Sequence, residues 1–133
     1  MSDPKHAAHM LEMADEDWGM AREMLSGRFP DRGFGFHVQQ AAEKALKAWL
    51  SLRGVRYPRV HALDSLLDEI AEGGEEVQRF RGLTWLTKFA QEFRYDGLPA
   101  GHASVDRQTI LTEVAALLAH VRQLLETELE QAT

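Results

Sequence analysis

The chain contains no cysteine. That excludes disulfides, a thiolate nucleophile and any zinc–thiolate centre. A cytoplasmic location is the matching expectation, because structural disulfides belong to oxidising compartments. Proline is scarce, with 4 in 133 residues, and none interrupts a stretch of helical periodicity. No stretch alternates between apolar and polar residues with period two, so no strand is expected. No apolar run approaches the ~20 residues of a membrane helix, and Met1-Ser2-Asp3-Pro4-Lys5-His6 has no apolar signal core, so no membrane partner is expected. Positive charge is also short. The net charge of −6 argues against broad, non-specific nucleic-acid binding but is compatible with a local basic patch. There is no Walker-type phosphate loop, no nucleophile elbow and no Glu-x-x-His pair of the di-iron bundles.

What is present is ordinary globular composition, 44% hydrophobic and 27% charged. The length fits one domain, residues 1–133, able to bury a core. The organising stretch runs from Phe36 to Leu50. It has no Gly or Pro and is rich in helix formers. Val38, Ala41, Ala45, Ala48 and Leu52 share one face, widened by Ala42, Leu46 and Trp49. Gln40, Glu43, Lys44, Lys47 and Ser51 are expected opposite, with Glu43, Lys44 and Lys47 solvated or at a subunit interface. Glu43 precedes Lys47 by four residues, the favourable order for an ion pair along a helix.

Asp3-Pro4 is a helix start, with Asp3 as N-cap. Leu11, Ala14, Trp18, Ala21 and Leu25 form a stripe. Met10, Met13, Met20 and Met24 run beside it, interrupted by Asp17. Ser26-Gly27 ends this helix, and Pro30, Gly33 and Gly35 read as a loop before the next. Arg53-Gly54 closes the central helix with a left-handed glycine. Tyr57-Pro58 is expected extended. Leu63, Leu66, Leu67 and Ile70 make a short third helix stopped by Gly73-Gly74. A fourth follows from about Glu75, with Val77, Phe80, Leu83, Leu86, Ala90 and Phe93 on one side. Arg94 to Gly101 reads as a loop. Ser104 is the expected cap of a last helix carrying Ile110, Val114, Leu117, Val121 and Leu124. The fold class is all-α: an up-and-down four-helix bundle with an additional short helix.

Few residues offer chemistry. His6, His9 and Glu12 lie three apart and could share a metal, but a solvated first turn is the plainer reading, and no metal site is expected. Phe93-Arg94-Tyr95-Asp96 is more informative. Arg94 offers a fixed fork of donors for phosphate or carboxylate, and Tyr95 a ring for a base or for the core. His61 is expected to be satisfied locally, accepting a backbone hydrogen bond at the start of the third helix.

Gln39-Gln40-Ala41-Ala42-Glu43-Lys44-Ala45-Leu46-Lys47-Ala48 resembles the second-helix signature of the HEPN family (higher eukaryotes and prokaryotes nucleotide-binding domain). His61-Ala62-Leu63 and Arg94-Tyr95 match the His-x-Leu and Arg-Tyr elements that follow it in that family, in the same order. The resemblance implies an all-α bundle, a homodimer, and a nucleotidyltransferase-like partner in a toxin–antitoxin pair. It also implies nucleotide or RNA as ligand, with Arg94 and Tyr95 lining the cleft, and no cofactor. Active members are metal-independent ribonucleases with an Arg and a His four to six residues beyond it. Here the His after Arg94 is His102, with seven residues between, and Asp96 follows the Arg-Tyr pair. Arg32 to His37 and Arg56 to His61 also meet the family spacing, in other parts of the fold. The alternatives are therefore a ribonuclease toxin using Arg94 and His102, and a non-enzymatic helical interaction module with a methionine-lined surface.

Overall fold

The computed structural model describes residues 2–26, 28–57, 59–95 and 106–132, with the backbone alone for 91–95. It is all helical. The helices are α1 (Pro4–Glu23), α2 (Asp31–Leu52), α3 (Leu63–Glu72), α4 (Trp85–Tyr95) and α5 (Arg107–Gln131). A short 3-10 helix, Gln78–Leu83, precedes α4.

The start of α1 follows from the sequence. The Asp3 carboxylate accepts the His6 N–H, and Pro4 opens the helix. The helix stops at Glu23, so Leu25 lies beyond it and is exposed. The expected loop through Gly33 and Gly35 is instead the first turns of α2, which begins at Asp31 after Pro30. Helix propensity argued against this, and packing decided it. A Cβ on Gly35 would sit 2.3 Å from the Phe89 ring of α4, so only glycine admits that close approach. Gly54, with φ +72°, closes α2 as expected, and Gly74, with φ +90°, follows α3.

The expected fourth helix divides in two. Val77, Phe80 and Leu83 enter the core from the 3-10 helix, and Leu86 and Phe89 from α4. Gly82 lies in the last turn of the 3-10 helix, with open space where a side chain would stand. Asp106, not Ser104, caps α5: its carboxylate accepts from the N–H and hydroxyl of Thr109. Ser104 lies outside the described residues.

The core is built around α2, against which α1, α3, α4 and α5 all pack. Val38, Ala41, Ala42, Ala45, Leu46, Ala48, Trp49 and Leu52 are buried, as expected. The small alanines let α1 run close alongside, its Ala7, Ala14 and Ala21 fully buried. Met10 joins the core, whereas Met20 is half exposed. No helix among the described residues is long and apolar enough to cross a membrane.

Candidate functional site

The polar residues of α2 are the first surprise. Glu43 and Ser51, expected opposite the packing face, are buried, and so is Gln39. Packing by four neighbouring helical elements leaves α2 almost no free face, so its polar side chains must find partners inside the protein. Ser51 donates to the Lys47 carbonyl. Glu43 Oε2 accepts from Lys47 Nζ at 3.0 Å and lies 3.1 Å from His61 Nδ1. Gln39 donates to the His61 carbonyl at 2.9 Å and reaches Glu43 Oε1 at 3.4 Å. The imidazole of His61 is thus engaged by a carboxylate, not by the backbone acceptor contact expected for it. A carboxylate only accepts, so Nδ1 carries a proton. This network ties the loop before α3 onto the middle of α2.

A second network joins α2 to α1. Asp17, which breaks the methionine stripe, is buried against α2. His37 Nδ1 lies 2.9 Å from its Oδ1, and Lys44 Nζ bonds its Oδ2. Every charged or amide side chain of the Gln39-to-Lys47 run is therefore hydrogen-bonded. These positions look like a surface in the sequence, but they specify how the loop and α1 dock on α2.

At the far end of α2, Arg53 and Glu75 form a paired fork at 2.6 and 2.8 Å, joined by the Trp49 indole N–H at 3.0 Å. The Arg53 bond holds the Glu75 carboxyl below its ordinary range, and Glu75 raises Arg53. The His120 ring of α5 packs at a tilt against Trp49 and Phe80. Its burial there, with Arg79 and Arg53 nearby, pushes it below the ordinary imidazole value.

Arg94 and Tyr95 form the C-terminal end of α4. Two contacts fix where that end goes. The Leu63 N–H donates to Thr87 Oγ1, pinning the start of α3 to α4. Two residues later, Phe89 packs on Gly35. Successive α4 residues thus meet earlier α2 residues, and the helix runs toward the Asp31 end of α2. The start of α5 is tied to the same end. The Arg107 guanidinium donates to the Met24, Ser26 and Phe29 carbonyls and to Asp31 Oδ1, and covers the Phe34 ring. Arg107 carries no signal in the sequence, and no spacing marks it; its bonds form only when the α1–α2 connection meets the start of α5, 76 to 83 residues away along the chain. His102 lies outside the described residues, as do the side chains of Arg94 and Tyr95. Tyr95 and Asp106, the described residues on either side of the stretch with His102, both lie at the Asp31 end of α2. That end is also where Arg28 and Arg32 are exposed, their guanidinium groups without partners among the described residues, beside the half-exposed Phe36.

The other family-spaced pairs do not converge. Arg32 and His37 are on one helix, five residues apart and on different faces, with His37 turned to Asp17. His61 is turned to Glu43. His6 bonds the Tyr57 hydroxyl at 2.7 Å in place of the metal considered for it. Among the described residues no group of three His, Asp or Glu converges as a metal set.

A family model described as HEPN domain matches residues 7–131, nearly the whole chain. No curated protein and no solved structure matches it.

Proposed function

The chain belongs to the HEPN domain family, and on that premise we propose that it acts as a homodimer with a nucleotidyltransferase-like protein, as one half of a toxin–antitoxin pair. In this reading, the end of the bundle bearing Arg94 and Tyr95 receives a nucleotide or RNA. The supporting observation is the surface at that end. Met20, Leu25, Phe29 and Phe36, between the second half of α1 and the start of α2, are each at least 39% exposed. Large apolar side chains at this density suit a protein interface better than open water. The guanidinium groups of Arg28 and Arg32 stand among them with no partner among the described residues, and supply the cations an anionic ligand needs. A cleft between two copies at this surface would carry two sets of arginines.

The test is affinity purification of the tagged chain from its native cell, with the mass of the isolated chain measured by sedimentation. A nucleotidyltransferase-like chain in the eluate and a dimeric mass are expected, and Phe36→Glu is expected to shift the dimer toward monomer. A monomer that captures no partner and gives no heat with nucleotides sinks the reading.

One observation favours a ribonuclease as the second reading: Tyr95 and Asp106, on either side of the stretch with His102, both lie at the Arg94 end of the bundle. In such a reaction His102 would take the 2′-hydroxyl proton as that oxygen attacks phosphorus. Arg94 would stabilise the charge on the phosphoryl oxygens. The bond to the 5′ oxygen would break, that oxygen would gain a proton, and a 2′,3′-cyclic phosphate would remain. Cleavage of RNA in metal-free buffer, lost in both Arg94→Ala and His102→Ala, is the expected result. Intact RNA with the wild-type chain rejects this reading and leaves the two-component one standing.

A further inference from the structure

Lys44, Lys47, Arg53, Arg56 and Arg59 are the charged residues of the stretch from Lys44 to Leu63, and all 21 carboxylates lie outside it. In a chain of net charge −6 this is a pronounced local reversal of sign. Three of the five cations are neutralised within the protein, Lys44 by Asp17, Lys47 by Glu43 and Arg53 by Glu75. Arg56 and Arg59 are exposed and have no partner among the described residues. They flank Tyr57 in the loop between α2 and α3, at the opposite end of α2 from Asp31, roughly 30 Å away at the helical rise.

A cavity of about 380 Å³ opens there, walled by Arg56, Tyr57, Val55, Ser51, His6 and Asp3. Its chemistry is selective. The Tyr57 ring has His6 stacked at 6.0 Å and Lys47 placed over it at 5.4 Å, so it already has two ring contacts and makes a poor stacking platform for a base. Ser51 is committed to the Lys47 carbonyl, and Asp3 to capping α1. The Asp3 carboxylate repels an anion from its own side of the cavity. The groups left over are donors: the Arg56 guanidinium, the Tyr57 hydroxyl when His6 does not take its proton, and the backbone N–H groups of Arg56 and Tyr57, which have no partner among the described residues. Several donors with the uncompensated Arg56 in the wall, and Arg59 three residues on in the same loop, match a group with three acceptor oxygens and nearly two negative charges. A carboxylate offers two oxygens and one charge, and a phosphodiester one charge.

We infer that the cavity beside Arg56 and Tyr57 binds a phosphate monoester, the terminal phosphate of a nucleotide or of an RNA 5′ end, recognised through its charge and oxygens and not through its base. This site goes beyond the proposed function, lies at the other end of the bundle from Arg94, and does not depend on which partner the protein has.

The test is backbone amide NMR of the full chain titrated at constant ionic strength with inorganic phosphate, AMP, adenosine, acetate, and short oligouridine with a 5′-phosphate or a 5′-hydroxyl. Phosphate, AMP and the 5′-phosphorylated oligomer should move the Arg56 and Tyr57 amides. Adenosine, acetate and the 5′-hydroxyl oligomer should not. Equal response to AMP and the 5′-phosphorylated oligomer supports a site that reads the phosphate alone, and tighter binding of either identifies the source. Arg56→Ala should weaken phosphate binding about tenfold or more, the usual size of a lost charge-assisted hydrogen bond. Arg56→Lys, which keeps the charge and loses the fork, should fall between. Arg56 is exposed, so both variants should keep the wild-type helical spectrum. No movement at Arg56 and Tyr57 with phosphate overturns the inference. So does an equal response to acetate or to the 5′-hydroxyl oligomer, and so does unchanged binding in Arg56→Ala. Arg94→Ala is expected to leave these shifts intact, so loss of nucleotide binding at the Arg94 end and loss here are told apart.

Discussion

At Gly35 a hydrogen stands where any other residue would carry a methyl group, because the Phe89 ring occupies that space. Gly35→Ala gains about 1 kcal/mol of helix propensity. It also drives a carbon to 2.3 Å from a ring, and overpacking of this kind typically costs ~1–3 kcal/mol. The expected outcome is a net loss of stability in urea melts, with the Phe89 contact displaced. Glu43 is the residue whose role the sequence disguises most. Its side chain is 5% exposed and that of its partner Lys47 11%. Glu43→Ala leaves the ammonium buried and unpaired, and removing one partner of a buried pair costs about 3–5 kcal/mol. Glu43→Gln keeps an acceptor for Lys47 and should lose less. Chemical denaturation of the two variants checks the order.

At the scale of the element, α5 shows how much a single cap governs. Asp106 accepts from both the N–H and the hydroxyl of Thr109, and those bonds lower its carboxyl below the ordinary range. Asp106→Ala should speed hydrogen exchange at Thr109 and through the first turn of α5. The amides from Val114 to Val121, held in the core, should be unchanged. Protection spread evenly along α5 in the variant would contradict this. The first turn of α5 is also held by Arg107, whose donors reach the Met24, Ser26 and Phe29 carbonyls. Arg107→Ala is therefore expected to loosen the α1–α2 connection as well as α5. Increased exchange confined to α5 would show that those carbonyls have another partner.

For the whole molecule, His120, Glu75 and the capping Asp106 contribute to the response to acid, and all act in the same direction. His120 has its pKa lowered by burial between Trp49, Phe80 and nearby arginines. Its neutral form is favoured in the fold. Its contribution is full above the ordinary imidazole value of about 6.5 and is lost as pH falls from there through the lower folded value. Glu75 has its pKa lowered by Arg53. Its contribution is full above the ordinary carboxyl range and is lost as pH falls through the lower folded value. Stability should thus decline in two steps on acidification, the His120 step first. His120→Gln should flatten the first step and leave the second. Thermal melts at a series of pH values read both, and an unchanged slope near neutrality in the variant would remove His120 from this role.

The all-helical class, the burial of the Val38-to-Leu52 stripe, the Asp3 cap, the Gly54 stop and the family were legible in the residues themselves. Each is written in local spacing or local backbone conformation, which a sequence carries directly. The start of α2 was not, because Gly33 and Gly35 signal a loop locally and only the Phe89 ring, some fifty residues later, makes glycine a requirement inside a helix. The Glu43–Lys47 ion pair was legible from its spacing of four, but the burial of Glu43 and the partners of Lys44, Asp17 and His61 were not. A helical sequence shows which residues share a face, but not how many other helices cover it, and here α2 is surrounded. The same holds for the Arg56–Tyr57 cavity: the run of positive charge is visible in the chain, while which of its charges stay uncompensated depends on where Asp17, Glu43 and Glu75 come to rest. Periodicity, and pairing within one helix, are properties of the chain, whereas pairing between elements is a property of the packed molecule.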